Sequence, residues 1–127
     1  MTNSYQKEIQ TKLTKGLLDM IILQILEKEP MHGYQIMTKI RKTFGANFGA
    51  STIYPLLGTL ESKGYAESEW SIGSDRPRKV FHITNEGQNV LKFTEGSLNL
   101  ICKNFSTNSP IDIQVTTRSK PGELYAR

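Results

Sequence analysis

The stretch Ser51-Thr52-Ile53-Tyr54-Pro55-Leu56-Leu57-Gly58-Thr59-Leu60-Glu61-Ser62-Lys63-Gly64 decides the fold, together with the Tyr65-Ala66-Glu67-Ser68-Glu69-Trp70-Ser71 that follows it. Ile53, Leu56, Leu57 and Leu60 recur at i, i+3, i+4 and i+7, the spacing of one helix face. This predicts a helix from about Ser51 to Lys63, stopped by Gly64. Its opposite face is small and polar: Thr52, Tyr54, Pro55, Gly58, Thr59 and Ser62. That face carries no acidic residue before Glu61. A helix of this kind buries one stripe and keeps a slim second face that can enter a DNA major groove. Ser51 and Thr52 stand at its start, where backbone N–H groups and the helix dipole favour a phosphate.

Downstream, the period changes. Tyr65 to Ser71 and Lys79 to Thr84 read as extended segments, and the turn-rich run Ile72 to Arg78 between them makes a β-hairpin. Arg76, Arg78 and Lys79 fall within four residues, with Pro77 stiffening the loop. Arginines on a stiff hairpin can reach phosphates or the adjacent minor groove. Trp70, near the end of the first strand, fits either the core or the wall of an aromatic ligand pocket.

Upstream, Ile36, Met37, Ile40 and Phe44 mark a helix from about Tyr34 to Thr43. Its other face carries Lys39, Arg41 and Lys42, either a solvated face or a source of DNA backbone contacts, with Lys39 the named candidate. Before it, Leu13 to Glu29 is apolar on nearly all sides and ends at Pro30. Such a helix belongs at the centre of a small domain or at a subunit interface. His32 has no Cys, Asp or Glu beside it, so it reads as a turn residue hydrogen-bonded at the start of the next helix, not as a metal ligand.

After the hairpin, Thr84 can N-cap a last helix running to about Phe105, with Glu86 favourable in its first turn. Gly96 weakens that helix by roughly 1 kcal/mol relative to Ala. Its stripe of Leu91, Leu98, Ile101 and Phe105 has no further helix in the chain to cover it, which points to a homodimer. The expected architecture is mainly α with a small β-hairpin: a winged helix-turn-helix over 13–84 and a dimerisation helix over 85–105. An N-terminal arm over 1–12 is flexible or helical. Residues 106–127 are expected to form a flexible tail, with 111–115 a candidate short strand.

Bulk composition agrees and excludes other classes. The 127 residues are 37% hydrophobic, enough for one modest core. A net charge of +4 is a mild bias that does not by itself mean nucleic acid. The lone Cys102 cannot form an intrachain disulfide and reads as a buried structural thiol near the dimer seam. No nucleophile–base pair, phosphate-binding loop or dinucleotide motif is present, so neither an enzyme nor a cofactor is expected. Met1 to Gln10 lacks the apolar core of a signal peptide, and Leu17 to Leu26 is broken by Asp19 and Gln24, so a cytoplasmic, non-membrane protein is the expectation.

Three stretches resemble the PadR family of bacterial and archaeal regulators: Pro30-Met31-His32-Gly33-Tyr34-Gln35-Ile36, the Ser51 to Gly64 helix, and Arg76-Pro77-Arg78-Lys79-Val80-Phe81 with Ile83-Thr84-Asn85-Glu86-Gly87. The resemblance covers about residues 13 to 105 and is similar to the short branch with a single C-terminal helix. It implies a homodimer whose last helix packs on the partner and whose two winged heads read a palindromic operator in double-stranded DNA. It implies repression, often released by a small-molecule effector. On the groove face it implies Tyr54 against phosphate and Pro55 against bases. A second reading of Pro55 is that it merely tolerates the first helical turn. Some drug-binding relatives carry a tryptophan on the final helix where this chain has Leu98. The competing reading of the whole chain is a winged-helix module that holds a protein partner and has no DNA function.

Overall fold

The computed structural model describes residues 4–73 and 76–105. The expected tail over 106–127, with its candidate strand, lies outside the described residues. In chain order the elements are α1 (Ser4–Gly16), α2 (Leu18–Lys28), β1 (Met31–His32), α3 (Gly33–Phe44), α4 (Ala50–Ser62), β2 (Ala66–Ser71), β3 (Arg78–Ile83) and α5 (Asn85–Phe105). Of the two alternatives for the N-terminal arm, the helical one holds from Ser4 onward.

The central apolar helix is α2. Leu18, Met20, Ile21, Ile22, Leu23, Ile25 and Leu26 are all buried, so its all-round apolar surface is covered within one chain. The expected single helix from Leu13 to Glu29 is two helices. Leu17 breaks the run as a turn, its N–H donating to the Thr14 carbonyl at 3.0 Å. Gly16, which loses more conformational freedom on folding than any other residue, stands where the first helix ends.

α3 packs on α2 and α4 packs on α3; Ile36 and Ile40 of α3 and Ile53, Leu57 and Leu60 of α4 are all at 2% exposure or less. Leu56, counted in the buried stripe by its spacing, is half-buried. The loop between α3 and α4 also contributes to the core through Ala46 and Phe48. Gly45 closes α3 in the left-handed region at φ 74°. Gly64 does the same after α4 at φ 82°. The Tyr65 N–H then returns to the Leu60 carbonyl at 2.9 Å, closing the end of α4.

The wing is larger than a hairpin. β2 and β3 pair antiparallel from Ala66↔Ile83 to Ser71↔Arg78. β1 adds a third strand on the other edge of β3, with Met31 opposite Phe81 and His32 opposite Val80. Two residues are too few for a periodicity signal, which is why this strand goes unseen in the sequence. The pairing fixes two faces. Met31, Ala66 and Phe81 point inward and are buried; Arg78, Val80, His82 and His32 share the other face.

Trp70 lies on the inward side, yet it is 64% exposed. The core reading of Trp70 is therefore wrong. It sits opposite Lys79, near the end of the ladder, away from the buried Ala66.

Thr84 ties the wing to the last helix. Its hydroxyl donates to the Gly64 carbonyl at 2.6 Å and accepts the Gly87 N–H at 3.0 Å, the expected N-cap. Gly87 packs against the Tyr65 carbonyl so closely that no side chain fits there. Leu91 is 1% exposed within its own chain. It belongs to the intrachain core, a correction to its place in the intersubunit stripe. The chain divides after Lys92 into two compact units. In the second, α5 runs on to Phe105, with Phe93, Leu100, Ile101 and Phe105 exposed and Leu98 and Cys102 half-buried. Among the described residues no helix is long and apolar enough to cross a membrane.

Candidate nucleic-acid interface

The outward face of α4 is small and polar. Ser51, Tyr54, Pro55, Gly58 and Thr59 are exposed and Thr52 is half-buried. The helix begins at Ala50, so Pro55 is its sixth residue and not part of a tolerant first turn. With no N–H to give, Pro55 leaves the Ser51 carbonyl without its helical donor, a defect worth about 3 kcal/mol in a helix interior. The Thr59 hydroxyl donates to the Pro55 carbonyl at 3.1 Å, so its hydrogen is engaged while its lone pairs stay open.

Tyr54 is held from behind. Its ring lies over Gly33, the first residue of α3, and a Cβ built on Gly33 would fall 2.7 Å from the tyrosine oxygen. The tyrosine is nevertheless 46% exposed.

On the wing, Arg76, Arg78 and Lys79 are all exposed, but strand alternation sends the last two to opposite faces. Lys79 is directed to α4: its Nζ is 3.6 Å from Glu61 Oε1 and 5.7 Å from the centre of the Phe81 ring. The other oxygen of Glu61 accepts from the Ser68 hydroxyl at 2.6 Å. A phosphate contact by Lys79 has to displace that pair. Arg78 is on the far face, with Nη1 2.8 Å from Nε2 of His32.

His32 also caps α3. Its Nδ1 lies 3.4 Å from the Gln35 N–H, while its own N–H donates to Gln35 Oε1 at 3.1 Å. Burial, and secondarily the Arg78 charge, push the His32 pKa below its usual value. The expected role at the start of the helix is present. The contact with Arg78 has no signal in the local sequence and follows from strand parity only once β1 is known.

Lys39 is exposed on α3. A cleft of about 250 Å³ lies beside the end of α3, lined by Lys7, Gln10, Thr11, Phe44, Gly45 and Ala46. Among the described residues there is no cluster of His, Cys, Asp and Glu suited to a metal.

Residues 22–93 match the model of the Transcriptional regulator PadR-like family. A PadR family transcriptional regulator from Eggerthella lenta has a similar structure (33% identity, TM-score 0.74), covering 82% of this chain and 91% of its own. A PadR-like transcriptional regulator from Bacillus cereus is 28% identical with a TM-score of 0.68, covering 76% of this chain and 94% of its own. Bacillus subtilis PadR, solved in complex with operator DNA, is 26% identical with a TM-score of 0.56. It overlaps 60% of this chain and 44% of its own. No curated protein gives a sequence match. The matched span contains the helix-turn-helix, the whole wing and the start of α5, and on that ground the chain belongs to the PadR-like family of transcriptional regulators.

Proposed function

We propose that this regulator binds duplex DNA as a homodimer and represses transcription from a palindromic operator, in the cytoplasm. The observation that carries the DNA reading is the outward face of α4, slim, largely exposed and without acid from Ser51 to Thr59, together with Arg76 and Arg78 exposed on the wing. Short side chains there can approach base edges, while the arginines take backbone phosphates. The operator complex of the Bacillus subtilis relative supports the same reading.

Dimerisation is supported by two uncovered apolar stripes. Tyr5, Ile9 and Leu13 recur every four residues on α1 and are exposed, as are Phe93, Leu100, Ile101 and Phe105 on α5. A monomer that left both to solvent would be prone to association. Release of the operator by a small-molecule effector belongs to the same proposal and rests on the family alone.

Selection of bound duplexes from a random pool tests the reading directly. A palindromic consensus is expected, with binding that weakens steeply with salt. Substituting Arg76 and Arg78 together with Ala should abolish most of that binding. A chain that enriches no duplex, or a double variant that binds unchanged, leaves the protein-interaction module as the better account.

A further inference from the structure

His32 has one lone pair to give and two donors facing it. A neutral imidazole carries its proton on one ring nitrogen and accepts only through the other. Gln35 offers a backbone N–H to Nδ1 at 3.4 Å, and Arg78 offers Nη1 to Nε2 at 2.8 Å. A backbone amide and a guanidinium can only donate. The two bonds are therefore mutually exclusive, and each belongs to a different tautomer.

Geometry decides between them. The arginine contact is short and charge-assisted, the stronger kind. The amide contact is long for an N–H donor. The backbone supports the same choice. With His32 opposite Val80, Arg78 is the diagonal cross-strand neighbour on the same face, within reach of a long side chain. The start of α3 keeps its second link, from the His32 N–H to Gln35 Oε1 at 3.1 Å, whichever tautomer is present.

We infer that His32 is the positioning residue for the wing arginine: with its proton on Nδ1 it accepts one arm of Arg78 at Nε2, and so fixes the guanidinium beside the start of α3. The remaining N–H groups of the fork are left to grip a DNA phosphate, with less side-chain freedom to lose on binding. This second half rests on the DNA reading; the tautomer does not. The consequence is a physical link between wing and helix-turn-helix. Whatever draws Arg78 away from His32 lets the proton move to Nε2 and gives the lone pair at Nδ1 back to the helix cap.

Two substitutions separate cap from reach. His32→Asn keeps a short acceptor suited to the N-cap but cannot extend to Arg78. His32→Gln places an acceptor near the Nε2 position and can. On a duplex recovered by selection, His32→Asn should bind roughly three- to ten-fold more weakly than wild type, the range for losing one ordinary solvent-exposed hydrogen bond. His32→Gln should recover most of that loss. In an Arg78→Ala background, His32→Asn should have no further effect. Nitrogen-15 NMR of histidine in the free protein should find the proton on Nδ1, moving to Nε2 in Arg78→Ala. A ring already protonated at Nε2 in the wild type, or losses that add in the double variant, would overturn the inference. If the wild type binds no duplex, the DNA reading fails alone, and the NMR result still decides the contact.

Discussion

Tyr54 and Gly33 occupy one contact: the tyrosine ring fills the space that a side chain on residue 33 would need. An added Cβ would lie 2.6 Å from Cζ and 2.7 Å from the hydroxyl oxygen, closer than real Cβ atoms approach. The first residue of α3 thus sets how far α4 can turn its tyrosine.

Gly33→Ala should therefore destabilise the fold by about 1–3 kcal/mol, the usual cost of overpacking. It should also weaken duplex binding, because the ring that must move lies on the face proposed to bind DNA. The backbone of Gly33 requires no positive φ, so the penalty is steric. In a Tyr54→Ala background the same substitution should become neutral, or stabilising by up to about 1 kcal/mol through helix propensity. Urea unfolding of the four proteins checks this; equal penalties in both backgrounds would disprove the contact.

Gly58 is the opposite case. It lies in the middle of α4, is exposed, and a Cβ there meets nothing within 4 Å. Ala should raise stability by about 0.5–1 kcal/mol. The added methyl, however, projects from the face proposed to enter the groove. Gly58→Ala is expected to melt higher and bind its duplex less tightly. A variant that gains stability with no change in affinity would place the DNA elsewhere.

Much of this arrangement can be read in the sequence, and the misses have identifiable causes. The stripe Ile53, Leu57, Leu60 and the change to period two after Gly64 announce helix and wing directly, because burial there follows secondary-structure periodicity. Trp70 misleads because its identity suggests a core, whereas its exposure depends on how far the wing extends beyond its packing partners. Leu91 misleads because i+7 spacing groups it with Leu98, though covering it depends on the fold of the preceding chain. The His32–Arg78 contact joins residues 46 apart through a two-residue strand, and no local pattern encodes it.

The lowered pKa of His32 has a sign that can be tested. In the unfolded chain the imidazole titrates near its ordinary value of 6.5; in the folded chain it titrates lower, first through burial and then through Arg78. Between the two values the unfolded state holds more protons, so stability rises with pH. The contribution is complete above the ordinary value and is lost as the pH falls through the folded value. Urea midpoints should drop between about pH 8 and about pH 5 more for wild type than for His32→Asn. Arg78→Ala should show an intermediate slope, since it removes only the smaller cause. Identical slopes in wild type and His32→Asn would refute the assignment.

Leu91 and Phe105 lie on the same helix and should fail in different ways. Leu91 is 1% exposed, so Leu91→Ala leaves a cavity and should cost about 2–5 kcal/mol whatever the oligomeric state. Phe105 is 71% exposed and Ile101 52%, and in the proposed dimer a second molecule takes that apolar surface out of water. Changing both to Ser should leave the fold of the single chain intact and weaken self-association. Sedimentation equilibrium should then show a dimer for wild type, a monomer for the Ile101, Phe105 double variant, and a thermal transition for that variant that no longer depends on protein concentration. A wild type that sediments as a monomer at micromolar concentration removes the dimer from the proposal. It would leave these aromatic and aliphatic side chains to be explained by a different partner.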